Sequence, residues 1–238
     1  MFVVKNLSKN LGGRPIIQNI NFCLKKGEII ALVGKNGAGK TTLMRSMSGY
    51  YDLDEGEVNF NNVSLATNRE AFLEKLAYVP ETGGLYPEMS VYEYLCFMAQ
   101  IKGIRIKKAD SEIKKLSAEL ELDSVLAQKC ETLSKGYKRR TAIAGAMISN
   151  PEMLILDEPT EGLDPQQKQH LRKFLLQYAA KGNIVLISTH IMEEVEALAE
   201  RVLMIKDGHL ICDTTQAELK KATPGESMEE SFCTILKD

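Results

Sequence analysis

Residues 29–42 read Ile29-Ile30-Ala31-Leu32-Val33-Gly34-Lys35-Asn36-Gly37-Ala38-Gly39-Lys40-Thr41-Thr42, five consecutive apolar residues running into a loop of glycine, lysine and threonine. A run that is apolar at every position and this short is a strand covered on both faces. The stretch that follows, Thr42-Leu43-Met44-Arg45-Ser46-Met47, is helix-like. Residues 34–41 match GxxxxGK[ST] at every fixed position. A chance match in a chain of this length is roughly a one per cent event at average composition. Between a strand and a helix, such glycines let successive backbone N–H groups turn inward onto phosphate oxygens, and the helix adds its positive end. Lys40 would neutralise the β and γ phosphates of a nucleotide, and the Thr41 hydroxyl would hold Mg²⁺.

Working outward, three more apolar runs end in polar residues. Leu76-Ala77-Tyr78-Val79 leads through Pro80 to Glu81, Met153-Leu154-Ile155-Leu156 to Asp157-Glu158, and Asn183-Ile184-Val185-Leu186-Ile187 to Ser188-Thr189-His190. Amphipathic stretches at Leu171–Tyr178 and Met192–Leu198 supply helices between them, so the pattern predicts an α/β chain with an open, mainly parallel sheet. Ligands of such sheets lie beyond the carboxyl ends of the strands, which would gather these polar segments into one site. There Asp157 is placed to reach the metal and Glu158 to take a proton from water; the plainer reading is a solvated acidic pair. His190 would hydrogen-bond the γ-phosphate or the attacking water, or simply pack.

Between Tyr86 and Asn150 strand-like runs vanish and Ala109, Ile113, Leu116 and Leu120 carry an apolar stripe at helical spacing. Residues 86–150 are expected to form an inserted helical subdomain, 1–85 and 151–220 the core with a β subdomain, and 221–238 a tail. Short antiparallel strands are expected around Phe2–Val4, Ile16–Leu24 and Val58–Leu65. A hairpin is expected at Asp207-Gly208, between Arg201–Lys206 and His209–Cys212.

With 238 residues, 44% of them hydrophobic, the chain can bury a core without disulfides or metals as staples. Thirty basic residues against thirty-two acidic ones give a net charge of −2, so no global positive field favours nucleic acid. Five scattered cysteines with no CxxC pair fit a reducing compartment. No apolar stretch approaches the ~20 residues that span a bilayer, and no signal-peptide core is evident at the start.

The segment Leu133-Ser134-Lys135-Gly136-Tyr137, just before an expected helix over Lys138–Ile148, resembles the LSGGQ signature of the ATP-binding cassette family, the ATPase subunits of ABC transporters. Ser134 and Gly136 match, and Lys135 and Tyr137 depart. The resemblance runs from about residue 2 to about residue 220 and implies a P-loop NTPase (RecA-like) core, with ATP and Mg²⁺ as cofactors. It implies two cassettes packed head to tail, each ATP lying between one copy's loop (Gly34, Lys35, Asn36, Gly37, Ala38, Gly39, Lys40, Thr41, Thr42) and the other's Ser134, Lys135 and Gly136. Glu161-Gly162-Leu163-Asp164 would be the D-loop touching the opposite site, and His190 the switch histidine.

Two departures bear on chemistry. Glu81 stands where the family usually has a glutamine contacting Mg²⁺ and the lytic water; it could still ligate the metal. Leu11 aligns where an aromatic usually stacks on adenine, so measurable GTP turnover is expected. The stretch Gly83–Leu95 resembles ABC-2 type exporter ATPases, in which this region receives the membrane subunit. Tyr86, Tyr92, Tyr94 and Phe97 would line that groove or serve as core. Lys102, Arg105, Lys107, Lys108, Lys114 and Lys115 form a positive stretch facing headgroups or water. The resemblance thus implies an ATPase at the inner face of the membrane, driving a separate multi-spanning permease, with an identical or related cassette as partner and no specific nucleic acid. The alternative is a non-transport ABC ATPase acting on a macromolecular complex.

Overall fold

The computed structural model describes residues 1–222 and 227–237. A four-stranded antiparallel sheet has the order β2-β1-β4-β5, with β1 Phe2–Leu11, β2 Arg14–Leu24, β4 Glu55–Phe60 and β5 Val63–Ser64. A six-stranded sheet has the order β10-β9-β3-β8-β7-β6, with β3 Ile29–Val33, β6 Leu76–Val79, β7 Met153–Leu156, β8 Ile184–Thr189, β9 Arg201–Lys206 and β10 His209–Thr215. Five of the six strands run parallel; β10 alone is antiparallel, returning from β9. The helices are α1 Lys40–Met47, α2 Arg69–Leu73, α3 Val91–Ile101, α4 Ile106–Glu119, α5 Lys135–Met147, α6 Pro165–Ala180, α7 Met192–Leu198, α8 Gln216–Ala222 and α9 Met228–Lys237. The tail from Thr223, for which the sequence predicts no element, carries α9, and its residues 223–226 and 238 lie outside the described ones.

Alternation along the strands explains why they are apolar throughout. Ile30 and Leu32 of β3 face α1 and the antiparallel sheet, with Phe2, Phe60 and Met44, while Ile29, Ala31 and Val33 face α6 and α7, with Leu175 and Val195. Each fully buried aliphatic side chain stabilises the fold by roughly 1.5–3 kcal/mol. Phe2 meets Phe60 and Phe72 with ring centroids 5.8 and 6.0 Å apart. Arg201 ties the two sheets, donating to Asp213 on β10 at 2.7 Å and to the Cys23 carbonyl on β2 at 2.9 Å.

Several boundaries differ from the sequence expectation, each for a physical reason. β1 extends to Leu11 because left-handed Asn6 and irregular pairing let it continue past a broken alternation. The stretch Val58–Leu65 is two strands, split at Asn61-Asn62, both at positive φ. β8 runs on through Ser188 and Thr189, both fully buried with hydroxyls satisfied by carboxylates. α5 starts at Lys135, so Ser134 is its N-cap and the signature its first turn. The stripe residues Ala109, Ile113, Leu116 and Leu120 are buried on or beside α4, and the Asp207-Gly208 hairpin forms with both residues at positive φ. Tyr94 is core, whereas Tyr86 and Tyr92 are exposed.

Candidate nucleotide site

The loop between β3 and α1 is wound around a lysine. Lys40 is 7% exposed, and its Nζ donates to the carbonyls of Gly34 at 2.8 Å and Lys35 at 3.4 Å. Gly34 has no room for a Cβ, which would meet the carbonyl and side chain of Ile205 on β9; Gly39 has φ 108°, a backbone state that L side chains rarely adopt. The hairpin after β9 braces the loop, Gly208 N–H donating to Ala38 C=O at 3.0 Å.

Above the loop lies a cavity of about 620 Å³. Asn36, Gly37, Gly39, Lys40, Thr41 and Thr42 form one wall, Glu81, Asp157, Glu158, Glu161 and His190 the other, and Ile16 of β2 lies at its side. The ends of β6, β7 and β8 thus meet the loop at one place, as the strand pattern implied. Gly34, Lys35 and Ala38 belong to the loop but do not line this cavity. Leu11 is not brought to it either: the β1–β2 hairpin turns at Gly12-Gly13 and pairs Leu11 with Arg14, so the aliphatic wall is Ile16.

Asp157 is 2% exposed, with Oδ1 accepting from the Ser188 hydroxyl at 2.6 Å and Oδ2 from the Tyr78 hydroxyl at 3.4 Å. Burial pushes the Tyr78 phenol up to about 12, so it stays a donor to this carboxylate. Glu158 sits at φ 45°, its N–H donating to Ser188 Oγ at 2.9 Å. Its Oε2 lies 3.2 Å from His190 Nδ1, and its Oε1 lies 4.0 Å from Lys40 Nζ. Burial raises the Glu158 carboxyl above the usual carboxylate range, against the opposing pull of His190 and Lys40. A carboxylate held in this way, beside a histidine and open to the cavity, is placed to accept a proton.

These donors fit a magnesium ion arriving with a nucleotide. No cluster of three or more histidine, cysteine or acidic ligands exists among the described residues, and Mg²⁺ is usually held by one or two carboxylates plus substrate phosphates. Asp157, Glu81 and the Thr41 hydroxyl are hard oxygen donors around one cavity.

The signature residues lie elsewhere. Ser134 Oγ accepts from Tyr137 N–H at 3.4 Å, and Gly136 packs against the side chain of Gln167. Asp164 caps α6, accepting from Gln167 N–H at 2.9 Å. None of Ser134, Lys135, Gly136 and Asp164 lines the phosphate cavity of its own chain; Lys135 lines a neighbouring one of about 230 Å³, whose wall includes Glu81, Glu158 and Glu161. Sequence reasoning missed Tyr78, Ser188, Ile16 and Arg139, whose guanidinium binds the carbonyls of Pro80 and Asp157. The hydroxyls at the ends of β6 and β8 were the available signal.

The family model described as ABC transporter matches residues 17–161. The chain is 33% identical to a lantibiotic transport ATP-binding protein of Streptococcus pyogenes, over 98% of this chain and 96% of that protein. It is likewise 33% identical to a linearmycin resistance ATP-binding protein of Bacillus subtilis, over 96% of this chain and 73% of that one. A solved structure of an ATP-binding subunit of an ABC transporter superposes with a TM-score of 0.90 at 29% identity, covering 99% of both chains. A dimeric bacterial ABC transporter cassette shares the fold, with a TM-score of 0.81 at 23% identity, covering 90% of this chain and 98% of that one. By family model, relatives and fold together, the chain belongs to the ABC transporter family, as one of its ATP-binding cassettes.

Proposed function

We propose that the chain is the ATP-hydrolysing subunit of an exporter whose membrane-spanning part is a separate polypeptide, and that it works as a dimer of cassettes. The observation that carries this reading is the division of the site. The loop, Asp157, Glu158 and His190 surround one cavity, while Ser134, a helix N-cap suited to a phosphate, lies outside it. A second cassette, packed head to tail, would bring its Ser134, Lys135 and Gly136 to the open side of this cavity and its Asp164 segment alongside.

In that arrangement the loop amides and Lys40 bind the β and γ phosphates, Lys40 exchanging its bonds to Gly34 and Lys35 for phosphate oxygens. Thr41 and Asp157, with Glu81, would hold Mg²⁺, which supplies charge neutralisation on the phosphates. Glu158 takes the proton of the attacking water, and His190 fixes the carboxylate through its 3.2 Å hydrogen bond. The water oxygen bonds to the γ-phosphorus as the bond from that phosphorus to the β–γ bridging oxygen breaks, giving ADP and inorganic phosphate, and loss of the γ-phosphate between them lets the two cassettes part.

Among the described residues no helix is long and apolar enough to cross a membrane, so in this reading a partner chain supplies the path. Relatives include a Nod factor export ATP-binding protein of Burkholderia and the lantibiotic transport protein, which supports export and a place at the inner membrane face. The test is affinity purification of the chain from detergent-solubilised membranes of its own cell. The expected result is a multi-spanning polypeptide in fixed stoichiometry that raises the ATPase rate on reconstitution; recovery only with a soluble macromolecular complex would contradict transport.

A further inference from the structure

The parallel ladder between β6 and β7 ends where Asp157 N–H donates to Val79 C=O at 3.0 Å. It cannot continue on the β6 side, because the next residue is Pro80, which has no N–H. Two carbonyls, those of Pro80 and Asp157, are therefore left at the lip of the sheet, where buried acceptors need a donor. Arg139 of α5 supplies it. Its Nη1 donates to Pro80 O at 2.6 Å and, more weakly, to Glu81 O at 3.4 Å, while Nη2 donates to Asp157 O at 2.5 Å. The planar fork is the side-chain shape that spans two such acceptors at once.

Arg139 is 6% exposed, its Nε has no partner, and no carboxylate lies within ion-pair distance of it among the described residues. Burial brings its pKa down to about 10. A cation is held here at a desolvation cost without a salt bridge, for the sake of main-chain oxygens.

We propose that Arg139 is a positioning residue that ties the signature helix α5 to the two carboxylate-bearing strand ends, setting the aim of Glu158 and Glu81. The Asp157–Glu158 peptide is gripped from both sides, its C=O by Arg139 and its N–H by Ser188 Oγ. That grip holds Glu158 at φ 45°, a conformation uncommon for a residue with a Cβ. The Pro80–Glu81 peptide is gripped through its C=O by the same guanidinium. Because Arg139 lies about one and a half turns after Ser134 on a single helix, a tilt of α5 is transmitted to both carboxylates. Contact of Ser134 with a phosphate thus reaches the base of the chain that carries the contact, not only the site it completes.

The inference rests on Glu158 being the base, so Glu158→Gln is measured in the same assay; retained turnover there would remove that reading whatever Arg139 does. The test is steady-state ATP turnover, resolved into kcat and KM, for the full chain carrying Arg139→Met or Arg139→Lys, with thermal unfolding followed in parallel. Arg139→Met is expected to lower kcat by about 30-fold or more while KM stays within about threefold, because the phosphate loop is untouched. Arg139→Lys should recover part of that loss, with kcat about three- to fivefold below wild type, one ammonium replacing part of the fork. Folded variants that both keep kcat within about twofold of wild type would overturn the proposal, as would a joint fall of kcat, ATP affinity and melting temperature. If Arg139→Met does not fold, Arg139→Lys decides alone: lowered kcat at unchanged KM supports the proposal, and unchanged kcat overturns it.

Discussion

Two segments of this chain present helix N-termini suited to phosphate, and they are built differently. The loop at Gly34–Thr41 is complete within one chain, wrapped on Lys40, braced by the β9–β10 hairpin and open to a cavity that already holds both carboxylates and the histidine. The signature at Ser134–Tyr137 opens α5 with a hydroxyl cap where the loop's helix has Gly39, and it faces no cavity lined by its own chain's loop residues. In the proposed dimer the first is a binding site and the second half of one. What distinguishes them is the neighbourhood to which the fold delivers each helix end.

The contrast can be broken most forcefully at the chemistry. Glu158→Gln should lower turnover on the order of a thousandfold while leaving ATP binding in place, because it removes the base and not the cradle. Single-turnover hydrolysis alongside equilibrium ATP binding checks this; turnover within tenfold of wild type would place the base elsewhere.

A paired substitution sharpens the comparison at the glycines. Gly34→Ala sets a methyl against the Ile205 main chain, which cannot yield, and should destabilise the fold by about 1–3 kcal/mol and abolish ATP binding. Gly136→Ala meets only the Gln167 amide, the end of a flexible side chain, and should leave stability within about 1 kcal/mol and monomer ATP binding intact. Denaturant unfolding and nucleotide titration on both variants would show whether the asymmetry holds.

Ser134→Ala is expected to cost about 1 kcal/mol of stability through the lost cap. It should reduce turnover by about 10- to 100-fold through the lost hydrogen bond to phosphate, with monomer ATP affinity unchanged. A parallel loss of affinity would mean that Ser134 acts on its own chain's site.

The smallest effect is in pH. As the proposed base, Glu158 must be ionised to act, and burial raises its pKa, so activity should fall away on acidification at a pH above the ~4.3 of a free glutamate. An acid limb at or below that value would contradict the buried, desolvated setting.

Much of this was legible in the sequence because the physics is local. A strand buried on both faces must be apolar throughout, so β3, β6 and β7 announce themselves, and the loop glycines mark a backbone bent around an anion. What escaped depends on tertiary partners. Ser188 and Thr189 read as a loop because hydroxyls are common there, yet they extend β8 by satisfying Asp157 and Glu194. Arg139 and Arg140 are likewise buried on main-chain carbonyls that no local pattern reveals. Leu11 was one hairpin turn away from the cavity wall, which Ile16 forms, because the length of β1 depends on irregularities at Asn6 and Asn19.

The most direct test of a site divided between two chains is the solution mass of Glu158→Gln with and without MgATP, alone and combined with Ser134→Ala. The account predicts a monomer that becomes a dimer only with MgATP, and no such shift when Ser134 is also replaced. A Glu158→Gln protein that binds ATP yet stays monomeric would contradict a site completed by a second copy of this chain.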